Sequence, residues 1–97
     1  MFVVLLDYVA PTEEIDRALP DHREWLTKHY EQGRFLASGP RDPRVGGVLI
    51  TRSMDRAELD AILAADPFSV RGLARYEVIG FSPTMTAPEL ADEAVRP

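Results

Sequence analysis

His22 stands two residues after Pro20 and is followed at helical spacing by Trp25, Leu26, His29 and Tyr30. A ring that titrates near neutrality therefore shares a helix face with the only tryptophan of the chain. Such a histidine is either a packed rim residue or a proton carrier, and a proton carrier works best when a second group fixes its tautomer. Asp66 is the candidate for that second group. It follows Ile62 by four residues and Leu59 by seven, so it continues the apolar face of a helix. A carboxylate there needs a partner, because an unpaired buried charge is costly. Two roles stay open for it: Asp66 pairs with His22, or it caps backbone N–H groups in the turn at Pro67.

Ser38 and the backbone N–H of Gly39 offer hydrogen-bond donors for developing negative charge. Arg41 and Arg44 either hold a substrate carboxylate in their planar forks or are solvated hairpin charges. Tyr8 is placed to line a pocket or donate a hydrogen bond, and His29 reads as a packing residue. Other chemistries find little support. The absence of cysteine removes thiol nucleophiles and thiolate metal sites, and His22 and His29 without a close acidic pair make a poor metal site. No phosphate loop, dinucleotide fingerprint or nucleophile elbow is present.

The elements that must position these residues follow from patterning. Phe2 to Val9 is apolar on both faces and reads as a covered strand. Thr12 to Leu19 reads as a short acidic helical segment capped by Thr12. A new helix is expected from Pro20 to Gln32, stopped by Gly33. Its N-terminus would disfavour imidazolium at His22, against the pull of Asp66. Strands follow at Arg34–Ser38, stopped by Gly39-Pro40, and at Val48–Arg52. A second helix spans Asp55–Ala65, with Asp55 and Glu58 as a capping pair and Pro67 as its stop. Leu73–Phe81 is the last strand, and the chain from Ser82 has no apolar period. Residues 1–82 thus form one domain, and 83–97 a tail, disordered or draped on a partner.

The order β-α-β-β-α-β predicts an α+β, ferredoxin-like fold with a four-stranded antiparallel sheet and both helices on one face. Threading the chain through it brings Pro20-Asp21-His22, Ser38-Gly39-Pro40 and Asp66-Pro67-Phe68 to one edge. The uncovered sheet face is apolar as well, which predicts a homodimer packed sheet against sheet.

Composition sets the outer bounds. The 97 residues carry a net charge of −5, with Arg and Lys scattered, which argues against nucleic-acid binding. No apolar run is long enough for a membrane span, and MFVVLLDYV, without a basic n-region and with an early Asp7, does not read as a signal peptide. The lack of cysteine fits a cytoplasmic protein.

The ordered set of His22, Gly33, Gly39-Pro40, Asp66-Pro67-Phe68, Gly72 and a closing strand at Phe81 resembles the YCII-related domain family over Phe2 to Ser82. The resemblance implies a dimeric α/β barrel and a site centred on His22 and Asp66, with Ser38-Gly39 nearby. It also implies lyase, dehydrochlorinase or isomerase chemistry. Two departures stand out: Arg23 follows His22 where leucine is frequent in the family, and the loop after Pro40 is short.

The sequence therefore predicts an enzyme that works without a cofactor on a small anionic organic molecule. His22 would move a proton, Asp66 would orient the ring, and Ser38, Gly39, Arg41, Arg44 and Tyr8 would hold the substrate. The alternatives are a non-catalytic small-ligand-binding or accessory homodimer, and a purely structural interaction module.

Overall fold

Side chains that alternate between two apolar faces make Phe2–Tyr8 the first strand, β1, at the middle of a sheet. The computed structural model describes residues 1–95. After β1 come a long helix α1 (Thr12–Glu31), strands β2 (Phe35–Pro40) and β3 (Gly46–Thr51), helix α2 (Arg56–Ala64), a single helical turn α3 (Pro67–Val70) and strand β4 (Ala74–Gly80). The sheet order is β2-β3-β1-β4 with every neighbour antiparallel. This is the α+β, ferredoxin-like arrangement.

The two helical segments expected on either side of Pro20 are one helix. Pro20 sits on the exposed side of α1. The opposite side carries Ile15, Ala18, His22, Trp25 and His29 at alternating spacings of three and four. Burying that stripe against the sheet outweighs one lost backbone hydrogen bond at a wet surface. His22 consequently lies well inside the helix, beyond the reach of the N-terminal dipole. Pro11, not Thr12, holds the N-cap, and Asp55 makes no side-chain cap. At the far end of α1, Gly33 adopts φ +72°. Its N–H bonds to Tyr30 O and that of Arg34 to His29 O, the paired closure that a left-handed glycine allows.

The core lies between helices and sheet: Val4, Leu6, Phe35 and Leu49 meet Ile15, Ala18, Trp25, Leu59, Ile62, Leu63 and Phe68. Trp25 Nε1 donates to Ile62 O at 3.2 Å, tying α1 to α2. Strand β2 runs through Gly39-Pro40 instead of stopping before them, and carries a one-residue bulge between Phe35 and Ala37. The bulge resets the alternation. Phe35 pairs with Thr51 and Ser38 with Leu49, so both face the helices although they are three residues apart. The other sheet face carries Val3, Leu5, Val48, Ile50 and Ile79, all at least partly exposed.

Pro88–Glu93 forms a 3-10 segment whose Asp92 and Glu93 contact Arg52, and Ser53 N–H donates to Glu93 Oε1 at 2.7 Å. The last two residues of the expected tail lie outside the described residues. Among the described residues no helix is long and apolar enough to cross a membrane.

His29 is only 5% exposed, and Arg34 Nη1 donates to its Nδ1 at 3.2 Å. Burial, then the charges of Arg34 and Lys28, push its pKa below the ordinary 6.5. On acidification through 6.5 the unfolded chain takes up a proton that the folded ring refuses. Stability is expected to fall there and to level off once the folded ring titrates. In thermal melts between about pH 8 and 5, His29→Leu is expected to remove this part of the slope. An unchanged slope would contradict a neutral buried ring.

Candidate active site

The site begins at a dipeptide. Pro67 disfavours helical backbone in the residue before it, so Asp66 adopts φ −60°, ψ 128° and α2 cannot continue. Pro67 then occupies the first turn of α3, and Asp66 becomes its N-cap. Asp66 Oδ1 accepts from Phe68 N–H at 3.1 Å. The same oxygen lies 2.7 Å from His22 Nδ1, so the two roles left open for Asp66 are held together by one atom. Oδ2 accepts from the Tyr76 hydroxyl at 2.5 Å. Asp66 is fully buried and His22 only 13% exposed.

An ionised carboxylate only accepts hydrogen bonds. With Phe68 N–H and Tyr76 O–H already donating to Asp66, His22 Nδ1 acts as the third donor. The proton is thereby placed on Nδ1, and Nε2 is the basic atom, with no protein partner among the described residues. The ring is held flat against Phe68, with centroids 4.0 Å apart and planes at 8°. Trp25 stacks on it at 5.6 Å. Tyr76 pairs across the sheet with Leu6 of β1, on the helix-covered face. Burial first, then the hydrogen bond to Asp66 and its charge, raise the Tyr76 pKa far above the usual phenol range.

Beside His22 opens a cavity of about 450 Å³. One stripe of α1 (Asp16, Leu19, Arg23 and Leu26) forms a wall, facing Ser38-Gly39-Pro40 of β2 and Val48-Leu49 of β3. Tyr8, Trp25, Phe68 and Arg44 also line it. Of the residues singled out from sequence, His22, Tyr8, Ser38, Gly39 and Arg44 line this cavity, and Asp66 stands directly behind His22. Arg41 does not line it; its guanidinium turns to Asp7 at 2.5 Å. Ser38 Oγ lies 2.7 Å from the Tyr30 hydroxyl. Arg44 Nη2 donates to Asp16 Oδ1 at 2.7 Å, which raises the Arg44 pKa.

Sequence reasoning missed Tyr76, Asp16 and Arg23 as site residues. Tyr76 left a trace: it is the one hydroxyl between Ala74 and Val78 on an inward strand face, where a phenol needs a polar partner. Among the described residues no group of three or more His, Cys, Asp or Glu is arranged to hold a metal ion.

A ferredoxin-like sheet carries a cavity under its long helix and a His–Asp–Tyr chain behind that cavity. The model of the YCII-related domain matches residues 1–82, and the chain belongs to that family. Among solved structures it is similar to 5-chloro-2-hydroxyhydroquinone dehydrochlorinase (TftG) from Burkholderia phenoliruptrix AC1100, in complex with 2,5-dihydroxybenzoquinone. The TM-score is 0.66 at 20% identity, covering 86% of this chain and 95% of that one. No curated protein sequence matches the chain.

The Tyr76–Asp66 bond has an alkaline signature. Above the ordinary phenol pKa of 10.0 the unfolded chain releases a proton that folded Tyr76 retains, so stability is expected to fall as pH rises. Tyr76→Phe is expected to abolish this alkaline loss in denaturant melts. An equal loss in the variant would show that the phenol is not held by Asp66.

Proposed function

We propose that the protein is an acid–base enzyme, of lyase type, acting on a small anionic organic molecule in the cavity beside His22. One observation carries this reading: a histidine with one nitrogen bound to a buried carboxylate and the other unengaged, beside a cavity with cationic side chains. Nε2 of His22 removes a proton from the substrate. The electron pair left behind forms a new double bond, and a leaving group such as chloride departs with its own bonding pair. The proton then passes from Nε2 to water. Asp66 fixes the ring and stabilises the imidazolium while it lasts, and Ser38, Gly39 or Arg44 faces the negative charge that develops. The dehydrochlorinase named among similar structures supports the lyase form of this chemistry. Return of the proton to another carbon would make the same site an isomerase. The His–Asp–Tyr chain supplies this proton transfer from protein groups alone, so the reading calls for no cofactor.

The test is release of chloride from a panel of chlorinated hydroxyquinols, beginning with 5-chloro-2-hydroxyhydroquinone. His22→Ala is expected to lose about a hundred- to ten-thousand-fold in kcat, the usual worth of a positioned acid–base group. Asp66→Ala is expected to cost about 3–5 kcal/mol of stability as well, since it leaves the His22, Phe68 and Tyr76 donors without their acceptor. Nitrogen-15 shifts of the His22 ring should report the Nδ1–H tautomer independently of turnover. Full turnover by His22→Ala would sink the reading, and a molecule that binds in the cavity and is recovered unchanged would favour a ligand-binding protein.

The same proposal includes a homodimer. Val3, Leu5, Val48, Ile50 and Ile79 form an apolar band on the sheet face opposite the helices, and a two-fold copy of that band covers it. Sedimentation equilibrium is expected to give a dimer for the natural chain and a monomer for Leu5→Arg/Ile50→Lys. A natural chain that sediments as a monomer would remove the dimer.

A further inference from the structure

We propose that Asp16 is a built-in competitor for the cavity: it occupies Arg44 until the anionic group of the bound molecule displaces it. This rests on the reading of the cavity as a site for a small organic anion and names the residues that select for it.

The two side chains approach the cavity from different elements, Asp16 from α1 and Arg44 from the β2–β3 loop, and both line it. Their ion pair is a single contact, Nη2 to Oδ1 at 2.7 Å, whereas a guanidinium has five N–H donors and favours a bidentate acceptor. The side chains are 41% and 53% exposed, so water competes for both and the pair is readily exchanged. Arg41–Asp7 and Arg71–Asp21 are comparably exposed, but none of those four residues lines the cavity. The charges on the cavity wall then decide what enters. Among the described residues Arg23 has no ion-pair partner and Arg44 pairs with Asp16 alone. With two arginines against one carboxylate the wall is net cationic, and release of Arg44 frees its fork for an incoming anion.

A chain of rings relates Arg44 to His22. Arg44 Cζ lies 6.0 Å from the Tyr8 ring. Tyr8 packs edge-on against Phe68 at 6.0 Å, and Phe68 lies flat on His22 at 4.0 Å. Anion anchor and proton carrier are therefore held at opposite ends of one aromatic ladder. A flat molecule with its charge at Arg44 is the ligand class this suits.

The competition is measurable without turnover. In the free protein Asp16 holds Arg44, so the apparent affinity for an anion is the intrinsic one multiplied by the fraction of molecules in which Arg44 is free. Benzoate is the probe, benzamide its neutral isostere, and binding is read from amide chemical-shift changes around Trp25 and Ser38. Asp16→Asn is expected to tighten benzoate about two- to fivefold and to leave benzamide unchanged. Arg44→Met is expected to erase the preference for benzoate, and the double variant to behave like Arg44→Met. Both positions are solvent-exposed, and unchanged thermal melts would verify that the variants fold. Equal benzoate affinity in the natural chain and Asp16→Asn would overturn the competition while leaving the anion site standing. Failure of every variant to bind benzoate would overturn both.

Discussion

A carboxylate taken out of water must be given as much as it loses, and Asp66 is the place where this protein meets that demand. Desolvating such a charge costs several kcal/mol even after relaxation. Asp66 recovers this through three donors from three parts of the chain: His22 in α1, the backbone of Phe68 in α3 and the hydroxyl of Tyr76 in β4. If any one of these elements shifts, a donor is lost and the burial becomes unfavourable. The same bonds that satisfy the charge therefore set the angle of the long helix against the fourth strand. Arg71–Asp21 adds an outer tie between α3 and α1 at 2.6 Å, but both its side chains are exposed and its contribution is small.

This constraint also fixes the histidine ring. His22 cannot rotate freely: Nδ1 is bound, one ring face lies on Phe68, and Trp25 packs alongside. In the proposed mechanism, a ring fixed before substrate arrives avoids reorganisation during the reaction. Phe68 contributes twice from one position. Its backbone N–H is capped by Asp66, and its side chain supports the ring that Asp66 orients. A four-residue turn, too short to be stable as an isolated helix, is held because both ends of this arrangement need it.

Much of this was legible in the residues. The strand order, the sheet type and the meeting of His22 with Asp66 follow from periodicity and from threading the chain up and down one sheet. What escaped is instructive in physical terms. Pro20 looks like a helix start because local rules favour it there, yet the buried stripe from Ile15 to His29 is a longer-range interaction and prevails. Ser38 faces the cavity only because a bulge inverts the strand alternation after Phe35, and no pattern in FLASGP announces that. Tyr76 was hidden by its ring, which satisfies an apolar pattern while its hydroxyl reaches a charge. Arg41 and Arg44 could not be separated by sequence, since three residues of loop geometry decide which points to Asp7 and which to the cavity.

That separation divides the electrostatics of the protein into two kinds. The charge on Asp66 is fully buried and saturated, and its partners cannot be exchanged without loosening the fold. The charges of Asp16, Arg23 and Arg44 stand at the wet margin of the cavity, where a pair can be broken at little cost. In the proposed mechanism, proton transfer depends on residues that stability also constrains, and ligand choice on residues that stability leaves free. On the same proposal, a substitution on the exposed stripe of α1 or in the β2–β3 loop would alter what the cavity accepts without moving His22, so that the substrate could change while the reaction is kept.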